Sequence, residues 1–147
     1  MNYAAYIHRE GKHWLAEFPD APGCQTFADS IDELRAATKE ALAGWLEAHL
    51  VDGQAPPRPK VRRKAPGKHR LQLVHVSPSL ASAIHLRWAR QDLGLSQKEL
   101  AERLGVSQQQ VAKLENPDEN PTLKTIERAA EALGIEFDIS VARAVGA

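Results

Sequence analysis

One cysteine, Cys24, stands in 147 residues, so no internal disulfide framework can staple the chain. A lone thiol suits a reducing compartment, and the cytoplasm is the expected location. Nowhere does the chain approach the roughly 18 consecutive apolar residues that a membrane-spanning helix needs. The start, Met1-Asn2-Tyr3-Ala4-Ala5, lacks a basic region followed by an apolar core, so no secretory signal is expected. The six histidines, His8, His13, His49, His69, His75 and His85, follow no metal-ligand spacing. No metal or other cofactor is therefore expected. Cys24 sits in a Pro-Gly-Cys turn with no histidine partner in view, and reads as a small buried hydrophobe.

Net charge is absent too, at zero, which excludes a uniformly basic nucleic-acid coat. The zero hides segregation. Residues 1–57 carry 4 basic and 9 acidic side chains, residues 58–75 carry 7 basic and none acidic, and residues 76–147 carry 8 and 10. Any nucleic-acid contact must come from a local arrangement, with the basic tract as a possible helper.

What is present divides in two. Tyr3 to Glu10 favours strand, Gly11-Lys12 signals a turn, and His13 to Phe18 reads as the hairpin partner. Pro19-Asp20-Ala21-Pro22-Gly23 is a loop, and a short third strand is expected from Cys24 to Ala28. Ser30 and Glu33 make a capping box ahead of Ile31, Leu34, Ala37, Ala41, Leu42, Trp45 and Leu46, whose steps of three and four predict a helix lying on a sheet. Residues 55–70 are proline-rich, basic and without period, which predicts an exposed flexible loop. Leu71 to Val76 returns to strand. The order β-β-β-α-β makes an α+β unit over residues 1–76, close to the lower size for a core of its own.

Ser77-Pro78 opens a second unit, residues 77–147, because proline is tolerated in a helix's first turn. Helices are expected to about Asp92, then at about 97–104, 108–115 and 123–133, with Gly134 as a stop. Ile135 to Ala142 alternates apolar and polar positions and reads as a terminal strand. Trp14, Trp45 and Trp88 fall at packing positions.

Within this unit Ser96 with Glu99, and Ser107 with Gln110, form two capping boxes around two short helices separated by Gly105-Val106. Leu100, Leu104, Val106, Val111 and Leu114 supply a shared core, and Ala101 leaves room for a close crossing. With Val111 and Leu114 inward, Gln109, Ala112, Lys113 and Asn116 face out, flanked by Gln108 and Gln110. Glutamine can pair bidentately with adenine and lysine can reach guanine or phosphate. A helical hairpin with a merely solvated glutamine face is the alternative, and it leaves the fit of caps, Ala101 and Gly105 unexplained.

Leu95-Ser96-Gln97-Lys98-Glu99-Leu100-Ala101, with Ser107-Gln108-Gln109-Gln110-Val111-Ala112-Lys113-Leu114-Glu115-Asn116, resembles the lambda-repressor-like (Xre/Cro) helix-turn-helix family over roughly residues 79–134. The resemblance implies a DNA-contacting set of Gln97, Ser107, Gln108, Gln109, Gln110, Lys113 and Asn116. Of these, Gln108, Gln109 and Lys113 would read bases, while Gln97 and Asn116 would hold phosphates. Trp14 to Thr26, then Asp29-Ser30 and a long helix, is similar to the HicB antitoxin family. So are Leu114 to Asp118 and Leu123 to Ala129. That resemblance implies a degenerate RNase-H-like domain that neutralises HicA, a small RNA-cleaving toxin, joined to a domain that represses the shared operon as a dimer or higher homo-oligomer.

The residues agree. A working RNase-H-type site needs several carboxylates converging on metal ions. The first strand has none in its middle, and Glu17, Asp20 and Asp29 are scattered, so no enzyme and no catalytic residue is expected. The acidic balance instead suits a basic, RNA-binding partner, with Glu17, Asp20 and Asp29 as candidate toxin contacts. The alternative reading is a stand-alone repressor with a ligand-sensing N-terminal domain, which a pocket lined by Trp14 and Tyr6 would favour. A DNA-targeted nuclease is a third, opposed by the missing carboxylates.

Overall fold

Residues 1–143 are described by the computed structural model. The hairpin forms as its turn chemistry predicts. β1 (Asn2–Glu10) runs antiparallel to β2 (His13–Glu17) with Glu10 opposite His13. Gly11 takes the φ of +59° of the tight turn between them, a value that costs glycine nothing. β3 (Gln25–Ala28) adds to β2, and β4 (Arg70–His75) pairs antiparallel with the far side of β1. The resulting order is β3-β2-β1-β4, so β3 and β4 are edge strands.

α1 (Ile31–Val51) crosses from one edge to the other over a single face of the sheet. Ser30 Oγ accepts from the Glu33 N–H at 3.2 Å. Leu34, Leu42, Leu46 and Leu50 form its buried stripe, at the spacing of successive helical turns. They meet Tyr3, Ala5, Ile7, Ala16 and Val74 from the strands. Alternation along the strands turns Tyr6 to the opposite face from Trp14, because Trp14 sits across from Arg9 and packs on the α1 side. The two rings therefore line no common pocket, which removes the feature that would have favoured ligand sensing.

The basic stretch corrects the expectation of a flexible loop. It carries no regular element, yet its first half, residues 56–62, is pinned. The Tyr3 hydroxyl donates to Pro57 O at 2.7 Å, and Trp88 Nε1 donates to Pro56 O at 2.8 Å. Arg62 holds Asp20 at 2.7 Å, the Lys60 N–H donates to the same carboxylate, and Arg58 reaches Asp92 at 2.6 Å. Proline carbonyls are good acceptors with no donor of their own to satisfy, so they can accept bonds from buried Tyr and Trp side chains.

α2 (Pro78–Asp92), α3 (Gln97–Leu104), α4 (Gln108–Leu114) and α5 (Leu123–Leu133) follow. α2 is buried on two sides. Leu80, Ala83, Ile84 and Trp88 complete the sheet core, while Leu86 and Ala89 join Leu100, Ala101, Val111, Leu114, Ala129 and Leu133 in a second core. Ser77 is thus a break in the chain's course and not in its packing. The expected terminal strand is also corrected: residues 135–143 form no strand. Ile135 and Phe137 pack on the second core, but Ile139 and Val141 are 69 % and 95 % exposed. Alternation makes a segment competent for pairing, whereas a strand exists only with a ladder partner, and this chain offers the segment none. Residues 144–147 lie outside the described residues.

Candidate DNA-reading face and its buried support

Both capping boxes are complete. Ser96 Oγ accepts from the Glu99 N–H at 3.1 Å while the Ser96 N–H donates to Glu99 at 2.7 Å. Ser107 Oγ accepts from the Gln110 N–H at 3.2 Å, and the Ser107 N–H donates to Gln110 Oε1 at 3.0 Å. The Ser96 backbone N–H first, and then the Ser96 hydroxyl, hold the Glu99 carboxyl below its usual range. Between the helices Gly105 adopts φ +65° and ends α3, and the Val106 N–H bonds back to Ala101 O at 3.0 Å.

This frame buries Val111 and Leu114 and leaves Gln108, Gln109 and Lys113 exposed on one side of α4. Ala112 between them is half-buried, so nothing bulky stops that face from approaching a groove. Ser107 and Gln110 lie beside it, but their polar atoms already work as caps. Asn116 is half-buried, its Oδ1 accepting from the Asp118 N–H at 3.0 Å. Gln97, at the head of α3, donates to Glu115 at 3.2 Å. The seven DNA-candidate residues thus fall within one helix-turn-helix, in two kinds: unbonded side chains at 108, 109 and 113, and engaged ones at 97, 107, 110 and 116.

Sequence reasoning missed what lies beneath. Glu115, only 1 % exposed, takes hydrogen bonds from Arg87 at 3.0 Å and from two nitrogens of Arg90. Arg90 also donates to Leu95 O, and Arg87 to Leu50 O and Gln54 O at and just after the end of α1. Burial by itself would raise the Glu115 carboxyl. The Arg90 bonds and charge, then Gln97 and Arg87, outweigh it and hold the group below the usual glutamate range. A signal was there to find: Glu115 falls four residues after Val111, on the inward side, and Arg87 and Arg90 interleave with the apolar Leu86, Trp88 and Ala89.

The three toxin-candidate carboxylates are not brought together. Glu17 is exposed on β2, and Asp29 is exposed beyond β3 with its Oδ1 2.6 Å from His13 Nδ1. Asp20 is 7 % exposed and locked onto Arg62 and Lys60. Burial would raise its carboxyl, but those partners win and lower it. Asp20 therefore anchors the basic stretch and leaves little of its carboxylate open to a partner. Burial pushes the Cys24 thiol up to about 11, consistent with an inert packed thiol. Among the described residues no group of three or more His, Cys, Asp or Glu could hold a metal ion, and no helix is long and apolar enough to cross a membrane.

A four-stranded antiparallel sheet packed on one long helix and followed by a capped helix-turn-helix defines an α+β protein with a DNA-binding module. Comparison with known families goes further. The family model "HicB_like antitoxin of bacterial toxin-antitoxin system" matches residues 3–69, and the family model "Helix-turn-helix" matches residues 86–139. "Antitoxin HicB 2" of Photorhabdus laumondii is 25 % identical over 139 residues, spanning 95 % of each chain. "Antitoxin HicB" of Escherichia coli K12 is 27 % identical over 126 residues, 86 % of this chain and 88 % of that one. An "Uncharacterized HTH-type transcriptional regulator" of Methanothermobacter thermautotrophicus is 47 % identical over 51 residues, 35 % of this chain and 74 % of its own. The chain is similar to HicB-like antitoxins, a non-enzymatic family, over most of its length, and it carries a helix-turn-helix domain.

Proposed function

We propose that the protein neutralises a HicA-type RNA-cleaving toxin with residues 1–76 and, with residues 77–147, binds operator DNA as a dimer or higher homo-oligomer, repressing its own toxin–antitoxin operon in the cytoplasm. The observation that carries this reading is the exposed Gln108, Gln109 and Lys113 face on a helix capped at its start and locked at its end by Glu115. The N-terminal unit is read as a degenerate RNase-H-like fold, kept for binding. Its scattered carboxylates leave it no two-metal centre. Gln97 and Asn116 retain amide N–H donors that suit phosphate oxygens.

Gln109→Ala is expected to weaken operator binding by roughly 1–3 kcal/mol and binding to random duplex far less, because the lost contact is to a base. Titration of both duplexes at fixed salt checks this. Equal losses on the two would mean that α4 does not read bases.

One recognition helix covers too few base pairs for useful specificity, so a palindromic operator bound by two copies is expected. The exposed Ile139 and Val141 make the tail the natural place for the copies to meet, since an uncovered apolar segment able to form a strand invites pairing. Truncation after Gly134 should give monomers or aggregates with weak operator binding on size-exclusion with light scattering. A truncated protein that stays a tight dimer rejects this role for the tail.

A further inference from the structure

Phe27 is 66 % exposed on β3, a free edge of the sheet. Its register partner Leu15 is half-buried beside it on the face opposite α1, and the His13 ring meets its edge at 5.7 Å. A large aromatic ring left in water on an edge strand is an association hazard that folded chains usually cover or replace with charge. Two exposed carboxylates flank this strand, Glu17 of β2 opposite Gln25 and Asp29 just past its end. Glu17 is exposed on the same face two residues from Leu15 and makes no ion pair among the described residues. Asp29 lies just past the strand at 80 % side-chain exposure. The opposite edge differs: there β4 follows the cationic stretch and begins with exposed Arg70.

We infer that the β3 edge and its outer face are the docking surface for the toxin, with Phe27 as the apolar anchor and Glu17 and Asp29 as the charges that meet a basic partner. This rests on the toxin-neutralising reading and adds the surface to it. The chemistry fits a protein that must bind RNA: such a partner presents cations, and opposite potentials speed and orient encounter. A central aromatic ringed by polar groups is the usual composition of an interface anchor. β3 also offers backbone N–H and C=O groups on its open side, to which an extended segment of the partner can add as a strand.

The test measures binding of full-length protein to the HicA-type toxin of its own operon, with Phe27→Asp and Phe27→Ala beside wild type. Leu73→Asp, at a 58 % exposed apolar position on the other edge strand, is the control. Thermal melts and operator binding confirm that each variant is folded. Phe27→Asp should weaken toxin binding about 30-fold or more, as expected for an interface anchor, and leave operator binding intact. Glu17→Lys with Asp29→Lys should slow association and flatten its salt dependence. Toxin binding unchanged in Phe27→Asp but lost in Leu73→Asp moves the surface to β4 and overturns the inference. Loss of self-association with toxin binding kept assigns β3 to a second copy and overturns it as well. Wild type that fails to bind the toxin overturns the neutralising reading, and this surface with it.

Discussion

Glu115→Ala should be the most damaging single substitution in the DNA-binding half, with an expected loss of about 3–5 kcal/mol of folding stability. The reason is what it leaves behind. Arg87 and Arg90 are 5 % and 8 % exposed, and without the carboxylate two guanidinium groups remain buried with no counter-charge. Gln97 loses its partner as well, which frees the head of α3. Chemical denaturation of wild type and variant measures the loss. A cost below about 1 kcal/mol would show that water or other groups already satisfy the arginines. Replacing all three charged residues with Met or Leu should recover much of the stability, since an apolar core of like volume often equals a buried ion pair. Operator affinity then becomes the sharper readout, because Glu115 closes the end of α4 and Arg87 ties it to carbonyls at and just after the end of α1.

The same group sets a pH limit. Glu115 titrates lower in the folded chain than the ordinary value of 4.5, so the folded state binds fewer protons at that site than the unfolded state. Its contribution to stability is complete above about 4.5 and is lost as pH falls through the lower folded value. Wild type should therefore lose stability more steeply on acidification below pH 4.5 than the all-apolar triple variant. Parallel slopes would place the acid sensitivity elsewhere.

Cutting the chain at Val76 should abolish the fold of the first unit, whereas residues 1–92 should fold. The shorter fragment lacks Leu80, Ile84 and Trp88, each under 9 % exposed against the sheet and α1. Losing a single large core side chain typically costs about 2–5 kcal/mol, against a total stability of about 5–15 kcal/mol for an ordinary domain. The fragment also strands the Pro56 carbonyl without the Trp88 N–H. Circular dichroism and amide dispersion in NMR spectra of the two fragments decide the matter. A cooperatively folded 1–76 fragment would show that α2 only leans on the first core. Toxin pulldown with residues 1–92 then tests the proposed division of labour without the ambiguity of an unfolded half.

How much could be read beforehand depends on how far apart in the chain the interacting groups lie. The hairpin, the long helix, the late strand and the four short helices follow from turn residues, caps and apolar spacing, signals contained within a few positions. Ser107 and Gln110 are three residues apart, as are Ser96 and Glu99, so their geometry is set once a helix starts there. The exposed face of α4 follows in turn from Val111 and Leu114 pointing inward. The residues around 58–70 show where this breaks down. Proline and cation content describe the segment's solubility, while its path was set by donors at Tyr3 and Trp88 and carboxylates at Asp20 and Asp92, between 30 and 60 positions away.

The sequence by itself determined the type and order of the elements, the two capped helices, the side chains that α4 offers and the family likeness. All of these rest on contacts within a helical turn or along a strand. Only the tertiary structure decided that Asp20 anchors a strap, that α2 serves two cores, that Arg87 and Arg90 enclose Glu115, and that Phe27 stands at an open edge. It also decided that residues 135–143 are not a strand within one chain. Alternating side chains state which face of a strand would be buried, but the ladder that makes it a strand needs backbone groups from a neighbour. Burial, likewise, is a property of what folds over a residue: Asp20 and Glu17 are both acidic and three positions apart, and topology alone put one inside and left the other in water.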